Sequence, residues 1–350
     1  MILVCGDVHF CQYSSILRQR GIKYSKRLET IIESINFVEK TAAEKNVNAT
    51  VYLGDFFDKP NLNDEELTAL KEIKWSDMIH YFIVGNHESS VNELIFNSTK
   101  TLEAEDNNRY VIDNFKIITK TNDNNFDFAF LPYCTEDCRV SLSKLFNEPS
   151  KRIIFSHNDV KGIQMGPIIS KQGYEIDDIE ANCDLFINGH IHNGSKITNK
   201  IINLGNLTGQ NFGEDAYKYS HNIMLLDEET LTYELIENPY AFNFYKIEIN
   251  NEKDLDKLNT LKNNAVVNIK CEQSLLQNVK KLINEAKNIV ASRILTYREL
   301  INRDNLENAE MTAQLVLNAQ DPLERFTEFI KNRLGNDEIV LEELSAIIGG

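Results

Sequence analysis

The chain has 350 residues, 42% of them hydrophobic, and a formal net charge of −16. That length accommodates roughly two to three domains and a sizeable buried core. The acidic balance argues against coating of nucleic acid by the whole surface, but not against a metal site lined by acidic ligands or a local basic patch.

In chain order, "MILVCG" reads as a buried strand. Residues 26–45 follow as an amphipathic helix, with Leu28, Ile31, Ile32, Ile35 and Val38 at three- and four-residue spacing. "ATVYLGD" is a second strand, residues 64–73 a helix, and "IHYFIVGN" a third strand. "DFAFLPYC", "RIIFSHN", "CDLFINGH" and "KIINLGN" are further strand candidates, and "NIMLLD" with "TYELIEN" a hairpin. This alternation predicts an α/β sandwich with outer helices. Beyond Pro239 the pattern becomes β-α-β-α: strands at 243–249 and 265–271, helices at 252–262 and 275–300. From about residue 305 helices are expected, one of them starting at Asp321-Pro322 and stopping at Gly335.

The six cysteines, Cys5, Cys11, Cys134, Cys138, Cys183 and Cys271, include no two pairs at zinc spacing and are read as free thiols of a reducing compartment. The opening apolar run lacks a basic leader, and no run approaches the ~20 apolar residues of a membrane helix. A cytoplasmic location without a membrane partner is expected.

The chemistry concentrates at five strand ends: "GDVH" (Asp7, His9), "GDFFD" (Asp55, Asp58), "GNHE" (Asn86, His87, Glu88), "SHND" (His157, Asn158, Asp159) and "GHIH" (His190, His192). Five of the seven histidines lie in these motifs, whereas His80 and His221 are read as ordinary packing or surface histidines. Alternate residues of an extended segment face the same side, so Asp7 with His9, and His190 with His192, can converge. Open α/β sheets build sites outside the carboxyl ends of their strands. Carboxylates, imidazoles and an amide oxygen suit borderline divalent ions better than calcium.

These motifs in this order resemble the calcineurin-like metallophosphoesterase superfamily over about residues 1–210. "GDFFD", "FLPYC" and the unit after residue 240 are most similar to SbcD-type nuclease subunits of double-strand-break repair, particularly bacteriophage recombination endonucleases. The resemblance implies a four-layer α/β/β/α sandwich at 1–240, a small β-α-β-α capping domain at 241–303 and a helical partner-binding tail at 304–350. It implies two divalent ions, manganese or else magnesium. Asp7, His9 and His192 would hold one, Asp55 would bridge, and Asn86, His157 and His190 would hold the other. His87, steadied by Asp58, would serve the leaving oxygen as catalytic acid. Glu88 departs from the nuclease pattern, which has Asp there, and matches protein Ser/Thr phosphatases. Those have Arg-Gly after the second motif's Asp, where this chain has Lys59 and Pro60.

The implied function is a metal-dependent DNA exonuclease and endonuclease, with a phosphatase as the alternative. Between Cys11 and Arg27 the sequence is acid-free, with Tyr13, Arg18, Arg20, Lys23, Lys26 and Arg27 as candidate DNA contacts; Tyr217 and Lys218 could form another wall. The tail's apolar residues, including Leu323, Phe326, Phe329, Ile330, Leu341 and Leu344, are expected to dock on an SbcC-type coiled-coil ATPase. The resemblance also implies a homodimer.

Overall fold

The computed structural model describes residues 1–89, 94, 96–103, 108–119, 126–146, 150–165 and 168–297. The expected tail, with Leu323, Phe326, Phe329, Ile330, Leu341 and Leu344, lies outside the described residues.

Two six-stranded sheets form the frame. The first takes β1 (Ile2–Cys5), β2 (Ala49–Tyr52), β3 (Ile79–Ile83) and β4 (Arg109–Ile112); the second takes β5 (Lys116–Ile118), β6 (Asp127–Leu131) and β7 (Arg152–Ser156). A short hairpin, β8 (Gln164–Met165) with β9 (Ile168–Ile169), precedes β10 (Leu185–Asn188), β11 (Ser195–Lys196) and β12 (Ile201–Asn203) of the second sheet. The expected hairpin, β13 (Asn222–Leu226) and β14 (Tyr233–Glu237), returns to the first. The orders are β14-β13-β1-β2-β3-β4 and β11-β12-β10-β7-β6-β5. Strands β1 to β4 are mutually parallel, as are β6, β7, β10 and β12, so the motif-bearing ends of β1, β2 and β3 share one edge and those of β7 and β10 another.

Side-chain alternation explains the layers. Ile2 and Val4 of β1 join Val51, Ile83 and Met224 in a core shared with Phe128, Phe130, Ile153, Phe155 and Ile187 of the second sheet. Leu3 and Cys5 point the other way, against Leu28, Ile31, Ile35 and Val38 of α1 (Lys26–Glu44). Ile154 and Phe186 pack outward with Leu142 of α3 (Leu142–Leu145) and Ile179 of α4 (Ile176–Asn182); α2 (Asp64–Leu70) lies between β2 and β3 in sequence. The result is the expected α/β/β/α order. Because both faces of each sheet are covered, β1, β2, β7 and β10 are buried at every position and read as mainly apolar runs.

The caps are local. Ser25 accepts the Leu28 N–H at the start of α1, a contact worth about 1 kcal/mol. Asn63 and Glu66 form a reciprocal capping box on α2.

After Pro239 one expectation fails. Strands β15 (Asn243–Ile249) and β16 (Ala265–Cys271) form, and 252–260 is a 3-10 helix. The long helix expected at 275–300 does not: α5 (Leu276–Glu285) ends early and β17 (Ile289–Thr296) follows, giving the sheet order β15-β16-β17. The run "NIVASRILT" fits helical spacing, but its β-branched residues also fit a pleated strand, and sheet pairing decides. Packing divides the described residues into a unit of Met1–Ile247, Asp256–Asn268 and Leu282–Arg293 and a unit of Glu248–Leu255, Ile269–Lys281 and residues 294–297. Among the described residues no helix is long and apolar enough to cross a membrane.

Candidate metal centre

All five motifs converge within the first unit. Their side chains form three overlapping groups whose ligand atoms lie within 4.8 Å of one another: Asp7–His9–His192, His9–Asp55–His87 and Asp55–His157–His190. The backbone carries strain here. His9, Asp55 and His190 have φ of 50°, 46° and 69°, a left-handed conformation that costs about 1–3 kcal/mol per residue and clusters at functional sites. Gly54, at φ 105°, and Gly85 admit no side chain: a Cβ would collide with the His157 ring at the first and with Asp55 at the second.

The two carboxylates lock facing loops with one oxygen each. Asp7 Oδ1 accepts the His190 N–H at 3.0 Å, across from the other sheet, and Asp55 Oδ1 accepts the His87 N–H at 2.9 Å. Asp7 Oδ2 is buried and has no hydrogen-bond partner among the described residues. It lies 4.0 Å from His9 Nε2 and 3.8 Å from His192 Nε2, and these two nitrogens are 3.0 Å apart. A buried orphan carboxylate oxygen facing two imidazole nitrogens is a donor set that fits a divalent cation.

The second cluster has the same logic. Asn86 Oδ1 stands 3.1 Å from His157 Nε2 and 3.0 Å from His190 Nδ1, and Asp55 Oδ2 is 3.1 Å from His157 Nε2. The Leu53 carbonyl accepts from His157 Nδ1 at 2.8 Å, which turns Nε2 toward the carboxylate. Burial disfavours charge on His157, but Asp55 and Asp7 outweigh it and push the ring up to about 9. Asp55 is held below the usual carboxylate range: burial opposes its charge, and His157, His9 and His87 overcome it. The centre is thus strongly cation-seeking.

His87 is separate in character. Its side chain is 43% exposed, and its Nδ1 lies 3.1 Å from the Asp58 backbone carbonyl. The Asp58 carboxylate does not pair mainly with it: Oδ1 is 2.9 Å from His9 Nδ1 and 3.7 Å from His87 Nδ1. Asp58 therefore orients His9 through its carboxylate and His87 through its carbonyl.

Several residues acquire roles that their motifs did not reveal. Glu88 is fully buried and accepts from Gly85 N at 2.6 Å and Phe57 N at 3.1 Å, tying the third motif to the second. Burial, and then the Asp55 charge, push its carboxyl up to about 7. Asn158 is structural, its amide donating to the Leu131 and Pro132 carbonyls, whereas Asp159 Oδ1 is 3.3 Å from His190 Nε2. Glu214, in no motif, is 2.9 Å from His192 Nδ1. His80 and His221 are both buried, paired with Glu39 and Asn206 respectively.

The basic stretch changes most on folding. Arg27 is buried, donating to the His9 carbonyl and Gln210, so it supports the centre from beneath instead of facing a ligand. Arg20 pairs with Glu65 at 2.8 Å and Lys23 with Glu72, acids brought in by α2 and the turn after it. Tyr13 and Arg18 remain exposed and Lys26 is half-buried. Tyr217 is exposed against Tyr245, and Lys218 lies 3.9 Å from Asp215.

The calcineurin-like phosphoesterase family model matches residues 1–194. The DNA double-strand break repair proteins Mre11 of Methanosarcina acetivorans and Methanosarcina mazei are each 36% identical to this chain, over 97 and 94 residues. Those stretches are 26% and 25% of this chain and 14% of each relative's length, so the match spans a small part of the curated relatives. Among solved structures, a dimetal phosphatase from Danio rerio aligns at 15% identity with a TM-score of 0.37, covering 68% of this chain and 98% of that one.

Proposed function

The chain belongs to the calcineurin-like phosphoesterase family, and from that premise we propose that it is a metal-dependent nuclease that hydrolyses phosphodiester bonds at DNA ends. The observation that carries the phosphoesterase part is the convergence of Asp7, His9, Asp55, His157, His190 and His192, with Asn86 beside them, at five strand ends. The DNA part is supported by the partial similarity to the Mre11 repair proteins.

In this reading Asp7, His9 and His192 hold one divalent cation, Asn86, His157 and His190 the other, and Asp55 lies between. Two such cations, manganese or magnesium, would supply charge neutralisation and Lewis acidity at the scissile phosphate. The protein's own contribution is orientation and proton supply. The Asp58 carbonyl accepts from His87 Nδ1, leaving Nε2 for the substrate side. From there the imidazolium gives its proton to the leaving sugar oxygen, a step typically worth ~10²–10⁴-fold. Exposed Tyr13 and Arg18 would steer the strand. We assign 1–240 to catalysis, 241–303 to a capping domain and 304–350 to docking of an SbcC-type ATPase, with a homodimer as the working assembly.

"GNHE" suggests a protein phosphatase as the second reading. Against it, Lys59, the cation that follows Asp58, is engaged with Glu66 at 2.8 Å. The test is hydrolysis by the purified full chain with Mn²⁺ of linear duplex and single-stranded DNA, beside a phosphopeptide and bis(p-nitrophenyl) phosphate. DNA cleavage is expected. Phosphate release from the peptide with intact DNA would overturn the nuclease reading.

A further inference from the structure

Glu214 lies outside the five strand-end motifs, yet it is 3% exposed and held in place on both oxygens. Oε1 is 2.9 Å from His192 Nδ1, while Oε2 accepts from Asn206 Nδ2 at 3.1 Å and Gln210 N at 2.8 Å. The network continues to the backbone of the other histidine of the same group. The Gln210 side-chain oxygen accepts from Arg27 Nη2, and that guanidinium also donates to the His9 carbonyl at 3.3 Å. One buried network therefore holds the His192 ring and the His9 backbone, of the two residues whose Nε2 atoms stand 3.0 Å apart.

We infer that Glu214 is the positioning residue of the Asp7–His9–His192 group and sets that group's affinity for its cation independently of the Asp55–Asn86–His157–His190 group. The inference rests on the two-cation reading above. A carboxylate that accepts the Nδ1 proton fixes the His192 tautomer, aims the Nε2 lone pair at Asp7 and His9, and strengthens it as a donor; losing such a partner typically lowers metal affinity 10- to 100-fold. The second group is anchored differently, with His157 Nδ1 on the Leu53 carbonyl, so it is spared.

The test is calorimetric titration of Mn²⁺ into the metal-free full chain, wild type and Glu214→Gln. Wild type takes up two cations. In Glu214→Gln one affinity falls 10- to 100-fold and the other stays within twofold, and adding His192→Asn weakens no further site. If wild type binds two cations and Glu214→Gln binds both unchanged, or both equally weakened, this inference alone is overturned. Fewer than two cations in wild type overturns the two-cation reading and the inference with it. Should the variant fail to fold, the Zn²⁺-loaded wild type labelled with ¹⁵N-histidine decides. A protonated, slowly exchanging His192 Nδ1 supports the role, and an unprotonated Nδ1 overturns it.

Discussion

Replacing His87 by Asn separates proton supply from metal binding. His87 is 43% exposed on its side chain, and the contacts it would lose are the 3.1 Å hydrogen bond to the Asp58 carbonyl and an edge contact with His9 at 4.9 Å. Its backbone bond to Asp55 Oδ1 survives the substitution. Stability should fall by at most about 0.5–1.5 kcal/mol, the worth of one hydrogen bond, which moves the melting temperature by only a few degrees. A lost general acid removes ~10²–10⁴ in rate, or about 2.7–5.4 kcal/mol of activation free energy at 1.36 kcal/mol per tenfold. The loss should also depend on the leaving group. A deoxyribose alkoxide needs a proton, whereas p-nitrophenolate leaves without one. The assay is therefore kcat on single-stranded DNA beside kcat on bis(p-nitrophenyl) phosphate, with Mn²⁺ uptake measured on the same samples. A large loss on DNA with a small loss on the nitrophenyl ester is expected. Equal losses on both substrates, or loss of a cation, would refute the reasoning, because His87 also lies within ligand distance of His9 and Asp55.

Three further substitutions probe other levels. Glu39 is buried and accepts from His80 Nε2 at 2.8 Å and from Ser76; burial opposes its charge, but these donors hold its carboxyl below the usual range. A depressed folded pKa contributes stability above the unfolded value that is lost as pH falls through the folded one. Glu39→Gln should therefore cost about 1–3 kcal/mol at pH 7, and denaturant midpoints of variant and wild type should converge below about pH 4.5; a gap constant with pH would exclude a stabilising role for the Glu39 charge. Gly85→Ala drives a Cβ into Asp55 and should displace that carboxylate, weakening Mn²⁺ binding at least tenfold while the sheet core stays folded by circular dichroism; unchanged binding contradicts the close approach. Substituting Leu323, Phe326 and Phe329 together by Ala should abolish capture of an SbcC-type ATPase and leave Mn²⁺-dependent cleavage of single strands intact; retained capture sinks the docking assignment.

The layers and the convergence of the strand-end motifs are legible because each depends on local pattern. A strand buried on both faces is mainly apolar, and a loop that turns sharply at the strand end favours glycine, so β1, β2, β7 and β10 stand out together with the motifs that follow them. The short edge strands β4, β5 and β11 do not, since "RYVI", "KII" and "SK" are half-buried or exposed at every position but Ile112 and too short to show a period. Pairing across space was illegible in the same way. The stretch from Cys11 to Arg27 is acid-free as a string, but folding sets Glu65 and Glu72 beside its cations and buries Arg27 under His9. Glu214 could have been suspected from "GNLTGQNFGEDA" only as an acid near glycines, because nothing in spacing links it to His192, 22 residues away.

Glu88 shows how a residue type can mislead about substrate. Its carboxyl reaches two backbone donors on different loops, Gly85 N in its own motif and Phe57 N in the second. Aspartate is one methylene shorter, and a buried N–H that a shorter carboxylate leaves without an acceptor costs about 1–3 kcal/mol. The span between these two loops therefore gives a structural reason for glutamate at this position, separate from the ester being cleaved. It follows that "GNHE" reports how the second and third motifs are braced against each other. Beside its likeness to the phosphatase form stands this bracing role, and the choice between DNA and phosphoprotein passes to the residues that face the cleft.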